Sequence, residues 1–214
     1  MNNMITTIIF DIGNVLVDFC WEPYFKSFGF SEEIFERLSE ATVHTPDWAE
    51  LDRGVLTEEE VIQRFIRRAP ELEVEIRRVF ENVSGILHLR DYAVSWIQRL
   101  KKEGYRVLVL SNFPEKMLRD CAEDMIFLKE TDGGILSYQE KLIKPMPAIY
   151  WTLLDRYGLE AEECVFIDDT PVNIEAARRQ GIHGIIFESQ EQVEKELAQF
   201  FIDRFEILKY NEIT

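Results

Sequence analysis

Four polar clusters carry residue types able to do chemistry, and they occur in the order Asp11, Ser111-Asn112, Lys144-Pro145 and Asp168-Asp169. Taken singly, each has an ordinary structural reading: an Asp at a strand end as a turn or cap, Ser-Asn as a helix start, Lys-Pro as a solvated turn. The acidic doublet fits that reading least. Thr170 and Pro171 already offer an N-cap and a first helical position, so both carboxylates are surplus to capping. Adjacent acids at the end of a buried strand repel unless a cation lies beside them. Magnesium suits such a place, because it favours hard oxygen ligands and retains several waters. A carboxylate attacks phosphorus only when the phosphoryl oxygens are neutralised, and hydrolysis then proceeds in two easier steps through an acyl phosphate. Magnesium and Lys144 are the candidates for that neutralisation. Ser111, with backbone N–H groups at a helix start, is the candidate for holding the remaining oxygens.

These clusters need elements to bring them together. Residues 5–10 (ITTIIF) form a β-branched and aromatic run that stops at the turn-forming Asp11-Ile12-Gly13-Asn14. The same grammar recurs at 106–110, 164–167 and 182–187, giving four expected buried strands. Amphipathic stretches at 92–103, 147–157 and 171–180 alternate with them, each followed by a glycine suited to a left-handed C-terminal position. Such alternation implies an α/β fold, a parallel sheet with helices on both faces, whose ligands bind beyond the carboxyl ends of the strands. Between 19 and 83 the strand signals give way to helical patterns at 21–28, 31–41, 57–69 and 71–83, with Thr57 and Glu60 matching a capping box. A small helical-bundle cap over residues 19–83 is therefore expected, inserted into a catalytic core of residues 1–18 and 84–214. The charged, amphipathic stretch 190–210 reads as a closing helix.

The chain has 214 residues, enough for one substantial core with a modest insertion. Forty acidic against twenty-four basic residues give a net charge of -16, which disfavours nucleic acid and anionic lipid as partners. The same field opposes a phosphate ester, so a phosphatase reading requires a local cation. Cys20, Cys121 and Cys164 are widely spaced without a CxxC pair, and no apolar run approaches a bilayer span. The expectation is a cytoplasmic protein with no conventional signal peptide and no membrane partner. His44, His88 and His183 lack metal-ligand spacing, and there is no GxSxG, Walker-type or GxGxxG loop.

Read together, FDIGNVLVDF, VLSNF, LIKPMPAIY and FIDDTPVNIEAARRQGI resemble the four ordered motifs of the haloacid dehalogenase-like hydrolase superfamily, over nearly the whole chain. The segment LDRGVLTEEEV resembles one found in the small helical caps of that superfamily. The closest resemblance is to the bacterial sugar-phosphate phosphatase branch that includes α-D-glucose-1-phosphate phosphatase. It implies a Rossmann-like core, a Mg2+ cofactor and a small phosphorylated metabolite as substrate. Asp11 would be nucleophile and metal ligand, Gly13 would offer its carbonyl to the metal, and Ser111 and Asn112 would bind the phosphoryl group. Lys144 would stabilise nucleophile and phosphate. Asp169 would ligate the metal, and Asp168 would act directly, through water or by pairing with Lys144.

One departure matters. Most phosphatases of the superfamily carry a second Asp two positions after the nucleophile, where this chain has Gly13. Loss of a general acid costs roughly 10²- to 10⁴-fold. Asp18 is a possible substitute, although its ordinary reading is structural. The alternatives are a metal-free haloacid dehalogenase, which gains nothing from the acidic doublet, and a phosphate-binding protein without turnover. Trp21, Tyr24, Trp48 and Arg53 are the candidate specificity residues of the cap. Oligomeric state has no signature in the sequence.

Overall fold

The structure, a computed structural model, describes residues 4–211, with side chains through residue 200. Its strands are β1 (Thr7–Phe10), β2 (Val17–Phe19), β3 (Leu87–Leu89), β4 (Arg106–Ser111), β5 (Gly134–Leu136), β6 (Cys164–Asp168) and β7 (His183–Ile186). Five of them make a parallel sheet in the order β5-β4-β1-β6-β7, while β2 and β3 pair as a separate antiparallel ribbon. The helices are α1 (Trp21–Lys26), α2 (Glu32–Ala41), α3 (Trp48–Arg53), α4 (Glu58–Arg68), α5 (Glu73–Glu81), α6 (Ala93–Lys102), α7 (Glu115–Asp120), α8 (Ser137–Glu140), α9 (Pro147–Tyr157), α10 (Pro171–Arg179) and α11 (Gln190–Asn211).

The three central strands are buried on both faces, which is why their sequences run apolar without alternation. Side chains of a strand point alternately to opposite faces. Accordingly Ile8, Phe10, Val107, Val109, Val165 and Ile167 feed one apolar cluster, which also takes in Trp96 of α6. Ile9, Leu108, Leu110 and Phe166 feed the other, with Ile149 and Leu153 of α9 and Ile174 of α10. Phe10 and Trp96 meet edge to face at 4.8 Å, tying the middle strand to the helix that precedes β4. Burial on both sides fixes the register, because a one-residue slip would exchange the two sets of side chains.

The four expected strands are present, and β5 is a fifth that the sequence conceals. It is three residues long and begins at Gly134, which, like Gly133 just before it, has a positive φ. Their purpose is close approach. A Cβ on Gly134 would lie 2.3 Å from the Val109 carbonyl oxygen, inside the space β4 occupies.

Helices α1 to α5 lie between β2 and β3, whose antiparallel pairing of Val17–Phe19 with Leu87–Leu89 holds together the two chain segments leading into and out of the helical region. Thr57 and Glu60 form the expected reciprocal capping box, and the Ser31 hydroxyl accepts from the Ile34 N–H at 3.3 Å. The stretch expected as one helix from residue 71 begins instead with a 3-10 turn at Pro70–Leu72. Helix α3 was not anticipated, since six residues give too little periodicity to read. Gly54 ends it in a left-handed conformation, φ 64°. That end is docked on α8: Ser137 Oγ donates to the Asp52 carbonyl and Lys141 Nζ to the Gly54 carbonyl.

Replacing Gly134 by Ala should push β5 from β4 and lower unfolding free energy by at least about 1–3 kcal/mol, the usual cost of overpacking. Urea denaturation of Gly134→Ala beside wild type checks this, and an unchanged midpoint would contradict the close approach.

Candidate active site

Parallel register decides which residues meet beyond the sheet. Phe10 pairs with Val109 on one side and Ile167 on the other, so the next residues, Asp11, Leu110-Ser111 and Asp168, come together at the carboxyl edge. The Asp11 N–H donates to the Ile167 carbonyl at 2.8 Å, carrying the sheet one step into the loop. Carboxylate oxygens of Asp11, Asp168 and Asp169 all lie within 4.8 Å of one another, although the residues come from opposite ends of the chain.

Lys144 is the cation set among them. Its backbone is fixed by Asn112, whose Nδ2 donates to the Lys144 carbonyl at 3.0 Å and whose Oδ1 accepts from the Lys144 N–H at 2.7 Å. Nζ then reaches 2.8 Å from Asp11 Oδ1 and 2.6 Å from Asp168 Oδ2, with its side chain 1% exposed. Burial acts to lower the pKa of the ammonium, but Asp11 and Asp168 outweigh it and raise the pKa above the ordinary value. Asp168 is fully engaged. Besides Lys144 it accepts from the Thr170 N–H at 2.7 Å and from Asn173 Nδ2 at 3.1 Å. Of the three roles open for it in the sequence, the geometry shows the pairing with Lys144.

Asp169 is the more accessible member of the doublet, and its Oδ2 accepts from Asn14 Nδ2 at 3.0 Å. Asn14 adopts a left-handed φ of 55°, turning the Asp11-Ile12-Gly13-Asn14 loop back toward the doublet. Three carboxylates are thus gathered at the site, with the one ammonium between Asp11 and Asp168. Asp11 Oδ1 is buried without a hydrogen bond, its approach to Lys144 being an ion pair off the hydrogen-bonding direction. Desolvation, offset by Lys144 and reinforced by Asp168, pushes the Asp11 carboxyl up to about 6. A divalent cation beside Asp11 and Asp169 would supply the missing charge, so these residues fit a magnesium ion.

Asp11, Gly13, Asn14, Ser111, Asn112 and Asp169 line one open cleft of about 200 Å³. Its apolar lining is formed by Phe19, Trp48, Leu87, Phe113 and Met117. Ser111 is at the expected place, but the segment after it is not a helix start, since α7 begins only at Glu115. The Phe113 N–H is already given to Ser137 Oγ at 2.8 Å, and the Asn112 amide to Lys144, so this loop positions the lysine as well as facing the cleft. Nor does Thr170 cap α10 through its side chain, which donates instead to Asp169 Oδ1 at 3.2 Å. The preceding acids, being stronger acceptors, draw both the Thr170 hydroxyl and its N–H.

Of the four cap candidates, Trp48 lines the cleft. Trp21 stacks on Phe35, and Tyr24 gives its hydroxyl to the Asn82 carbonyl at 2.6 Å, both within the packing of the helical region. Arg53 pairs with Glu50 at 3.3 Å. Asp18 pairs with Arg90 at 2.7 Å, as its structural reading anticipated. The residue that sequence reasoning missed is Asp52, which lines the cleft from the end of α3. Desolvation, partly offset by Lys144 and reinforced by Asp11, pushes its carboxyl up to about 7. The acid of the LDRG segment was its only signal, and α3 was unread.

The protonated form of Asp52 suits the fold. Its stabilising contribution is therefore full below the ordinary value of 3.8 and is lost as pH rises through about 7. In metal-free protein at pH 8, Asp52→Asn should raise the melting midpoint by about 2–4 °C or more, the shift of a 1 kcal/mol gain at this size. Near pH 4 the two proteins should melt together, and calorimetric scans at both pH values decide the matter.

Known proteins resemble this chain. The chain is 23% identical over 204 residues to flavin mononucleotide hydrolase 1 of Arabidopsis thaliana, covering 92% of this chain and 78% of that one. It is 24% identical to the sesquiterpene phosphatase astK of Aspergillus oryzae, over 83% and 87% of the two chains. Among solved structures, the HAD family enzyme bt-2542 of Bacteroides thetaiotaomicron, in complex with magnesium and inorganic phosphate, superposes with a TM-score of 0.64 at 22% identity, over 88% of this chain and 98% of that one. The profile of the haloacid dehalogenase-like hydrolases matches residues 5–181, and the chain belongs to that family.

Proposed function

We propose that this hydrolase is a magnesium-dependent phosphatase that cleaves a small phosphorylated metabolite, in the first instance a sugar phosphate, through an aspartyl-phosphate on Asp11. The observation that carries the reading is the cluster of Asp11, Asp168 and Asp169, with the buried ammonium of Lys144 between Asp11 and Asp168. Asp11 and Asp169, with the Gly13 carbonyl, would hold the magnesium, which when bound supplies the positive charge that lets two anions meet. Asp168 holds Lys144 in place, and Lys144 orients the Asp11 carboxylate and meets the phosphoryl oxygens. Ser111 and the neighbouring loop bound the phosphoryl site. The helical region acts as a cap whose Trp48 closes the far side of the cleft.

The acidic doublet also argues against the dehalogenase alternative, because a metal-free site for an anionic substrate is weakened by two further carboxylates. A second reading of the substrate comes from the cleft wall. Phe19, Trp48, Leu87, Phe113 and Met117 suit a phosphate ester whose leaving group carries an apolar or aromatic surface. The two relatives named above act, by their names, on a flavin nucleotide and on sesquiterpene compounds.

A panel of sugar phosphates, nucleotides and prenyl phosphates, assayed for phosphate release with and without magnesium, separates the two substrate readings. Asp11→Asn should retain its fold and lose turnover by more than about 10³-fold, since the covalent route is then closed. Turnover surviving that change, or persisting in chelator, would remove Asp11 or the metal from the mechanism.

A further inference from the structure

Transfer of a phosphoryl group leaves one problem that Lys144 and magnesium do not address. The leaving oxygen departs as a high-energy alkoxide unless a neighbour gives it a proton. At residue 13, beside the nucleophile, there is only a glycine, with no atom within 4 Å of where a Cβ would stand. Among the described residues, the titratable side chains that line the cleft are Asp11, Asp52 and Asp169. Asp11 is the attacking group and Asp169 belongs with the metal. His44 packs edge-on against Trp21, and His183 bonds to the Glu162 carbonyl, so neither serves the cleft.

Asp52 remains, and it is held deliberately. Its carbonyl accepts from Ser137 Oγ, which also accepts from the Phe113 N–H, so a single hydroxyl ties the loop after β4 to the end of α3. Lys141 fixes the next turn through the Gly54 carbonyl. Gly54 itself sits so close to Tyr138 that a Cβ would fall 2.9 Å from the tyrosine Cβ. The neighbouring charges on its own helix, Arg53 and Glu50, are paired with each other. Among the described residues the Asp52 carboxylate has no hydrogen-bond or ion-pair partner, leaving it free for a ligand in the cleft. Lys144 and Asp11 face it from the core, and Asp169 shares the cleft.

We propose that Asp52 is the general acid and base of this enzyme, delivered from the helical cap to the cleft where the core loop has Gly13. This rests on the phosphatase reading above. In the first step an Asp11 oxygen bonds to phosphorus, the phosphorus–oxygen bond to the leaving group breaks, and the Asp52 carboxylic acid gives its proton to the departing oxygen. In the second, the Asp52 carboxylate takes a proton from water as the water oxygen bonds to phosphorus. The phosphorus–Asp11 bond breaks, which restores both carboxyl groups and releases inorganic phosphate.

Two substrates of similar shape and different leaving-group basicity test this: phenyl phosphate, whose oxygen needs a proton, and p-nitrophenyl phosphate, whose oxygen does not. In rapid-mixing assays with magnesium, Asp52→Asn should slow phosphoryl transfer from phenyl phosphate by about 10²-fold or more and from p-nitrophenyl phosphate by less than about tenfold. It should also give a burst of p-nitrophenolate with phosphorylated Asp11 accumulating, because the second step lacks its base. Equal slowing of both substrates, or no slowing, would overturn the role of Asp52. Asp52→Ser carries the same comparison should the Asn variant not fold. Wild-type enzyme that releases phosphate from neither substrate would instead remove the phosphatase reading, and this inference with it.

Discussion

Repulsion among carboxylates is the constraint on which this molecule's site depends. Asp11, Asp168 and Asp169 are drawn within 4.8 Å by the sheet, and Lys144 is the one ammonium buried among them. Breaking such a buried pair from one side commonly costs about 3–5 kcal/mol, because the partner is left charged and unpaired. The fold therefore devotes several contacts to keeping the lysine in place: Asn112 grips its backbone, Asp168 holds its Nζ, and the Phe166 ring lies 5.3 Å beneath it. Asp168 in turn is satisfied by Thr170 and Asn173. Asp11 Oδ1 keeps its ion pair with the Lys144 ammonium but accepts no hydrogen bond, and the three acids still outnumber the one cation.

Much of this was legible in the sequence for a plain physical reason. Doubly buried parallel strands must be continuously apolar, so 5–10, 106–110 and 164–167 declare themselves, and the polar residue ending each one marks the ligand edge. Convergence of Asp11, Ser111, Lys144 and Asp168 needed only the parallel arrangement. Strand β5 stayed hidden because Gly134 serves a close approach to β4 and Gly133 one to Tyr157, and glycine carries no strand propensity. The helix expected to begin at Ser111-Asn112 begins later, since Pro114 and the demands of Asn112 on Lys144 keep that loop extended.

Asp52 illustrates a different limit. Its position depends on a six-residue helix, a left-handed glycine and a hydroxyl contact with Ser137, and none of these has a periodic signature. Sequence reasoning instead weighed Asp18, which lies near Asp11 in the chain but is spent on Arg90. Proximity along the chain is a poor guide when a helical insertion brings a distant residue to the cleft. The same α3 contributes Trp48 to the apolar wall, so one short helix supplies both a surface for the leaving group and an acid beside it.

The account stands on the claim that Asp11 and Asp169 hold a divalent cation beside the Lys144–Asp168 pair. Calorimetric titration of magnesium into wild type and into Asp169→Asn, both without substrate at neutral pH, tests it most directly. Saturable binding at one site in the wild type, weakened at least about tenfold in the variant, is the result expected from losing an anionic ligand. Equal binding by the two proteins, or none by the wild type, would contradict it.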